Sequence, residues 1–156
     1  MPLTEETFEV GSQTPRISEG WYIGLIKKVE KSETRAGDGM YVVEFDVPSK
    51  EEVGRVNKHT EYFSMGADKK NPNAPGYGKV RFGRLVGATG VPRDQHGRVD
   101  YTSLQGQQVG VLFTWGERED KFGVLKLQSN IQEFRSPQEL IDQNTKRVNE
   151  GKKAIL

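Results

Sequence analysis

Two stretches, Trp21–Lys31 and Met40–Val47, are rich in β-branched and aromatic residues. Between them lie Ser32–Gly39, with no large apolar side chain at all. In the second stretch Tyr41, Val43, Phe45 and Val47 alternate with Glu44 and Asp46. In the first, Ile23, Leu25 and Val29 share a face, Gly24, Lys28 and Glu30 the other, and Lys27 interrupts the alternation. A period of two on both sides of a turn-forming segment predicts an antiparallel β-hairpin with a long loop. Such a hairpin must bury one face, so the rest of the chain has to supply a lid or further strands.

The remaining segments supply both. Val53–Phe63 reads as a third, mostly polar strand, with Val56, Lys58, Thr60 and Tyr62 on one face. A loop rich in Gly, Pro and Asn follows at 66–76. Over Lys79–Thr89 the period changes. Phe82, Leu85, Val86 and Thr89 stand at helical spacing, and Gly90 can end the helix. Gly83 and Gly87 weaken that helix by about 1 kcal/mol each relative to Ala. Gln108–Trp115 predicts a fourth strand with Val109, Val111, Phe113 and Trp115 on one face. Gly116–Lys121 is expected to be a charged hairpin loop. Phe122–Phe134 is then a fifth strand, with Leu125, Leu127 and Ile131 inward. Ser136-Pro137-Gln138-Glu139 is a capping box that opens a helix to about Val148, with Leu140 and Ile141 as its apolar stripe.

The order strand, strand, strand, helix, strand, strand is that of an OB-fold. The expected class is mostly β: a five-stranded OB-fold-like barrel, a short helix between strands three and four, and a C-terminal helix. The expected organisation is an acidic arm at 1–19, the OB-like domain at 20–135, and a helix with a basic tail at 136–156.

Composition removes several chemistries. There is no Cys, which excludes disulfides, thiolate zinc sites and cysteine nucleophiles. With two His, a multi-histidine metal site is nearly excluded. The N-terminus has no signal-peptide pattern and no apolar run reaches the roughly 20 residues of a membrane span, so a cytoplasmic protein is expected. Neither a nucleophile elbow nor a Walker-type loop is present, and Gly76-Tyr77-Gly78 reads as a turn. Glu44 and Asp46, on one strand face, could in principle hold Mg²⁺, but a solvated strand face is the expected reading. No enzyme activity, cofactor or metal is therefore expected.

The charge needs dividing. The chain carries a formal +1, but residues 1–20 hold Arg16 against Glu5, Glu6, Glu9 and Glu19, which leaves +4 on the remainder. Its cations gather with aromatic residues. The first loop region has Lys31 and Arg35; the third strand and its loop have Arg55, Lys58, Tyr62, Lys69 and Lys70. The fourth-to-fifth hairpin has Arg118 and Lys121 between Trp115 and Phe122. Single-stranded nucleic acid needs this combination of cations along phosphates and aromatic faces for bases. In an OB-fold those strands and loops form the usual binding face.

Three segments carry a resemblance. Gly20-Trp21-Tyr22 with Thr34, Gly37-Asp38-Gly39 and Met40–Phe45 is the first. Phe63, Asn71-Pro72-Asn73 and Arg81–Pro92 form the second, and Leu104, Gly106 and Val109-Gly110-Val111 the third. Over roughly residues 17–134 the chain resembles a bacteriophage family of single-stranded DNA-binding proteins, formerly a domain of unknown function. The resemblance implies an OB-type fold, sequence-tolerant binding of single-stranded DNA in phage replication and recombination, partners among the proteins of those processes, and no catalysis. Instead of the acidic tip common in such proteins, this chain ends in Lys152-Lys153-Ala154-Ile155-Leu156. The alternative expectation is a non-enzymatic interaction or structural module of a phage complex, marked by hetero- or homo-oligomers.

Overall fold

A computed structural model describes residues 15–156. The chain runs β1 (Gly20–Glu33), β2 (Gly39–Pro48), β3 (Val56–Ser64), α1 (Tyr77–Thr89), a 3₁₀ turn (Tyr101–Leu104), β4 (Gln108–Glu119), β5 (Leu125–Arg135) and α2 (Pro137–Asn149). All five strands join one antiparallel sheet in the order β3-β2-β1-β4-β5. No ladder pairs β3 with β5, so the sheet keeps two edges and is open where a barrel was expected.

The uninterrupted alternation of β2 buries Val43, Phe45 and Val47 completely. Each such side chain contributes about 1.5–3 kcal/mol by leaving water. On β1 the inward set is Tyr22, Ile26 and Val29, not Ile23, Leu25 and Val29. Lys27 is the reason. The β1–β2 register slips between Ile26 and Lys28, a bulge that flips the alternation halfway along the strand. The bulge also splits the strand's duties. Residues 20–25 pair with β4 and residues 25–33 with β2.

α1 starts two residues earlier than its spacing predicts and ends at Gly90, whose φ of 71° is the left-handed cap that favours glycine. Phe82, Leu85 and Val86 are buried, and the helix lies over the sheet between β3 and β5. Its first turn needs Gly76 and Gly78. A Cβ on Gly78 would sit 2.4 Å from the Ser64 carbonyl oxygen, and one on Gly76 2.4 Å from that of Gly66. The Gly-Tyr-Gly motif is thus a backbone-to-backbone packing device between the helix start and the chain leaving β3.

β3 begins at Val56, three residues later than expected, because Val53 lies fully exposed in the preceding turn. The larger difference is at the last hairpin. β4 continues as strand to Glu119 through most of the expected loop, and the turn falls at 120–124. There Asp120 Oδ1 accepts from the backbone N–H groups of Phe122 (2.8 Å) and Val124 (3.0 Å). The hairpin therefore extends beyond Gly20, where β1 begins opposite Phe113. Among the described residues nothing covers Leu125 and Leu127, which are exposed, while Ile131 alone of the expected three is buried.

The end of the expected acidic arm belongs to the core. Ile17 is buried, and its carbonyl accepts from Trp115 Nε1 at 2.8 Å and Ser129 Oγ at 2.9 Å. Residues 1–14 of the arm lie outside the described residues. At the other terminus Ser136 caps α2, its Oγ accepting from Glu139 N at 3.2 Å, with Pro137 in the first turn. Leu140 is fully buried against Gly110, while Ile141 is exposed. The basic tail folds back along α2, where Asn144 Oδ1 accepts from Ile155 N and Leu156 N.

Candidate nucleic-acid interface

β3 separates two sets of side chains. Asn57, His59, Glu61 and Phe63 point inward, while Val56, Lys58, Thr60 and Tyr62 face out. The inward set meets α1 and β5. Arg81 donates from Nη1 to Glu61 Oε2 (3.2 Å) and from Nη2 to the Ile131 carbonyl (2.8 Å). His59 Nε2 lies 2.7 Å from Glu61 Oε1, and its ring meets Phe113 edge-on. Burial raises the Glu61 carboxyl, but the hydrogen bond and charge of His59 and the Arg81 guanidinium outweigh it and hold Glu61 below the usual range. Arg81 thus ties together the two sheet edges that no ladder joins.

Next to this tie the edges part. An open cleft of about 570 Å³ lies between the start of β3 and the middle of β5, lined by Arg16, Ile17, Arg55–His59, Gln128 and Ser129. Gln128 also lines a second hollow of about 510 Å³ on the β4–β5 hairpin, with Arg118, Lys121, Phe122 and Lys126. The two hollows meet at Gln128, and Glu119 and Asp120 line the second beside its cations. Some of the positive charge is answered locally: Arg55 pairs with Glu52 at 2.9 Å, Lys126 with Asp120 at 3.4 Å and Lys58 with Glu44 at 3.9 Å. Arg118 and Lys121 have no ion pair within 4 Å among the described residues. Backbone N–H groups of Val124 and Phe122 hold the Asp120 carboxyl below its usual range.

The expected site residues divide between the two ends of the sheet. Arg55, Lys58, Arg118, Lys121 and Phe122 come together around the cleft and hairpin. Phe122, at the turn, is 78% exposed, with Lys121 Nζ 5.1 Å from its ring centre. Lys31, Arg35, Lys69 and Lys70 sit at the opposite end, where the β1–β2 turn meets the loop after β3 through Met65 N to the Gly39 carbonyl (2.8 Å). Tyr62 stands between, 62% exposed on the outer face opposite Val42. Trp115 is half-buried and held by Ile17, so it is a packing residue at the margin of the cleft rather than a free stacking platform.

The outer face of β1–β3, where an OB-fold would bind, is not uniformly basic. Glu44 and Asp46 stand opposite Thr60 and Lys58. Lys28 is 2.6 Å from Glu30, whose hydrogen bond and charge raise its pKa, with Glu44 adding to the shift. Glu44 and Asp46 find no third ligand: among the described residues no three His, Asp or Glu side chains are placed to hold a metal.

Arg16, Asn57, Lys126 and Gln128 were not among the expected site residues. Arg16 is hidden in an acidic segment, Asn57 sits in a mostly polar strand, and Lys126 and Gln128 alternate with Leu125 and Leu127, a period that marks them only as the other face of the strand. Among the described residues no helix is long and apolar enough to cross a membrane. The chain matches no family model, and no curated protein is significantly similar to it.

Proposed function

We propose that the protein binds single-stranded DNA without strong sequence preference, as a non-enzymatic OB-type protein of phage replication and recombination. The observation that carries this reading is the gathering of Arg16, Arg55 and Lys58 at the β3–β5 cleft and of Arg118, Lys121 and Lys126 at the β4–β5 hairpin, with Phe122 exposed among the latter. Cations there can track phosphates while an aromatic face takes a base. The sheet order also supports an OB-type fold. β1 is shared between β2 and β4, a helix follows β3, and the OB-fold is itself a partly open five-stranded barrel. The remaining gap between β3 and β5 is spanned by Arg81 and covered by α1.

On this reading the strand lies along the cleft and hairpin. Glu44 and Asp46 disfavour phosphate on the outer face, where the sequence pattern alone would put it. Fluorescence anisotropy with labelled oligo-dT tests the proposal: micromolar or tighter binding at low salt, weakening as salt rises, is expected. Absence of binding at low salt would sink it.

The exposed Val124, Leu125 and Leu127 beside Phe122 favour a second reading, an interaction module that pairs with another protein or a second copy. Size-exclusion chromatography with light scattering, with and without oligo-dT, separates the two. The module forms oligomers that ignore DNA.

A further inference from the structure

We propose that Asp120 is a positioning residue of the single-strand site: it folds the β4–β5 turn so that the Phe122 ring stands beside the hairpin's cations as a platform for one base. This rests on the single-strand reading above and gives a role to an acidic residue that electrostatics alone would not put there.

The turn runs Asp120-Lys121-Phe122-Gly123-Val124. Asp120 closes it with hydrogen bonds from both side chain and backbone. Its Oδ1 accepts from the backbone N–H groups of Phe122 (2.8 Å) and Val124 (3.0 Å). Its own N–H donates to the Val124 carbonyl (2.9 Å), and its carbonyl accepts from Gly123 N (3.0 Å). Gly123, at a φ of 78°, supplies the left-handed residue that such a hairpin loop requires. One of these bonds ends on Phe122 itself, so the backbone that carries the ring is held before any ligand arrives.

Phe122 is an unusual residue for this place. Turns favour Gly, Pro, Asn, Asp and Ser. A ring that stays 78% exposed gains little from folding. Its surroundings are cationic: it lines the hollow of about 510 Å³ together with Arg118, Lys121 and Lys126. Arg118 stands directly opposite Lys126 in the ladder, a like-charge pair that weakens a hairpin and suits an anion. Asp120 Oδ2, 3.4 Å from Lys126 Nζ, answers part of that charge. A carboxylate here repels phosphate, so what Asp120 contributes to strand binding is the shape of the turn. A ring already held in place lowers the ordering cost of stacking a base on it.

The test compares two full-chain variants that make the same charge change. Asp120→Asn keeps a side-chain oxygen that can accept from the turn's N–H groups, as Asn does in its own turns, whereas Asp120→Ala removes it. With labelled oligo-dT, Asp120→Ala should bind about fivefold more weakly than the parent, the low end for one stacked base, although it has lost a negative charge. Asp120→Asn should bind at least as tightly as the parent. On an abasic oligomer of equal length, Asp120→Ala should bind no more weakly than the parent. In a Phe122→Ala background, Asp120→Ala should cost nothing further. In the parent protein the Phe122 ring resonances should move on adding oligo-dT and stay still with the abasic strand, a readout that needs no variant to fold.

Equal oligo-dT affinities for the two Asp120 variants would overturn the positioning role while leaving single-strand binding intact. So would a loss that is as large on the abasic strand, a loss that persists without Phe122, or Phe122 resonances that oligo-dT leaves unmoved. If the parent binds neither oligomer, the single-strand reading fails and the positioning role with it.

Discussion

Arg81 and Glu61 meet across the one gap the sheet does not close, Nη1 to Oε2 at 3.2 Å, while the same guanidinium donates to the Ile131 carbonyl on the opposite edge. One helix side chain thus does the work of a missing strand ladder. It fixes the separation of β3 and β5, and with it the width of the basic cleft beside them.

Replacing Arg81 by Met should destabilise the protein by about 3 kcal/mol, the lower end for breaking a buried pair, since both side chains retain 13% exposure. The double variant Arg81→Met, Glu61→Leu should lose less than the two single losses together, because it strands no carboxylate. Urea unfolding of the four proteins measures the coupling. Strict additivity would mean that the tie contributes nothing of its own.

Glu61 also sets part of the acid response. Its folded-state pKa is depressed by His59 and Arg81 despite burial, below the ordinary value of about 4.3. The stabilisation it contributes is therefore fully present above the ordinary value and is lost as pH falls through the lower, folded one. Glu61→Gln should be less stable than the parent at pH 7, and the gap should narrow as pH drops below about 4.3. Thermal unfolding from pH 7 to 3 follows it; a gap constant in pH would show that the carboxylate's charge is immaterial.

The glycines of α1 divide into two kinds. At Gly83 and Gly87 an added Cβ would meet nothing within 4 Å, so Ala there should stabilise the protein by about 0.5–1 kcal/mol each. At Gly78 the same methyl would lie 2.4 Å from the Ser64 carbonyl oxygen, and the helix start must shift. Gly78→Ala should cost about 1–3 kcal/mol, as overpacking does. Melting curves of the three variants compare them directly, and a neutral Gly78→Ala would show that the helix start is free to move.

How much of this could be read from sequence varies by residue. The β2 core was plain because Val43, Phe45 and Val47 alternate without a break against polar neighbours. Ile23 and Leu25 are expected inward where Tyr22 and Ile26 are buried, because a bulge at Lys27 leaves no mark except a broken alternation, and a broken pattern does not say which half has flipped. Leu125 and Leu127 keep the period of a buried face yet lie beyond the start of β1, and periodicity cannot tell how far a neighbouring strand extends. The cations of the hairpin and of β3 were legible as charge near aromatic residues. Their division from Lys31, Arg35, Lys69 and Lys70 was not, because strand direction and register decide it. Asn57 was invisible for a simpler reason: a polar residue in a polar strand signals burial only once the opposite wall is in place.

Phe122 and Trp115 should respond oppositely when changed. Phe122 is 78% exposed at the hairpin turn, and its ring faces no core, so Phe122→Ala should leave stability within about 0.5 kcal/mol of the parent. It should weaken oligo-dT binding by about 1–3 kcal/mol, the worth of one stacked base, with little change in salt slope. Trp115→Phe removes the indole donor to the Ile17 carbonyl and should cost about 1 kcal/mol of stability, with affinity nearly unchanged once folded. Lys121→Ala completes the set: the loss of one phosphate contact should lower the salt slope by about 0.7. Anisotropy titrations at several salt concentrations, alongside urea unfolding, separate stacking, packing and charge. If Phe122→Ala binds as the parent does and Trp115→Phe does not, the bases stack at the margin of the cleft and the hairpin turn is only a spacer.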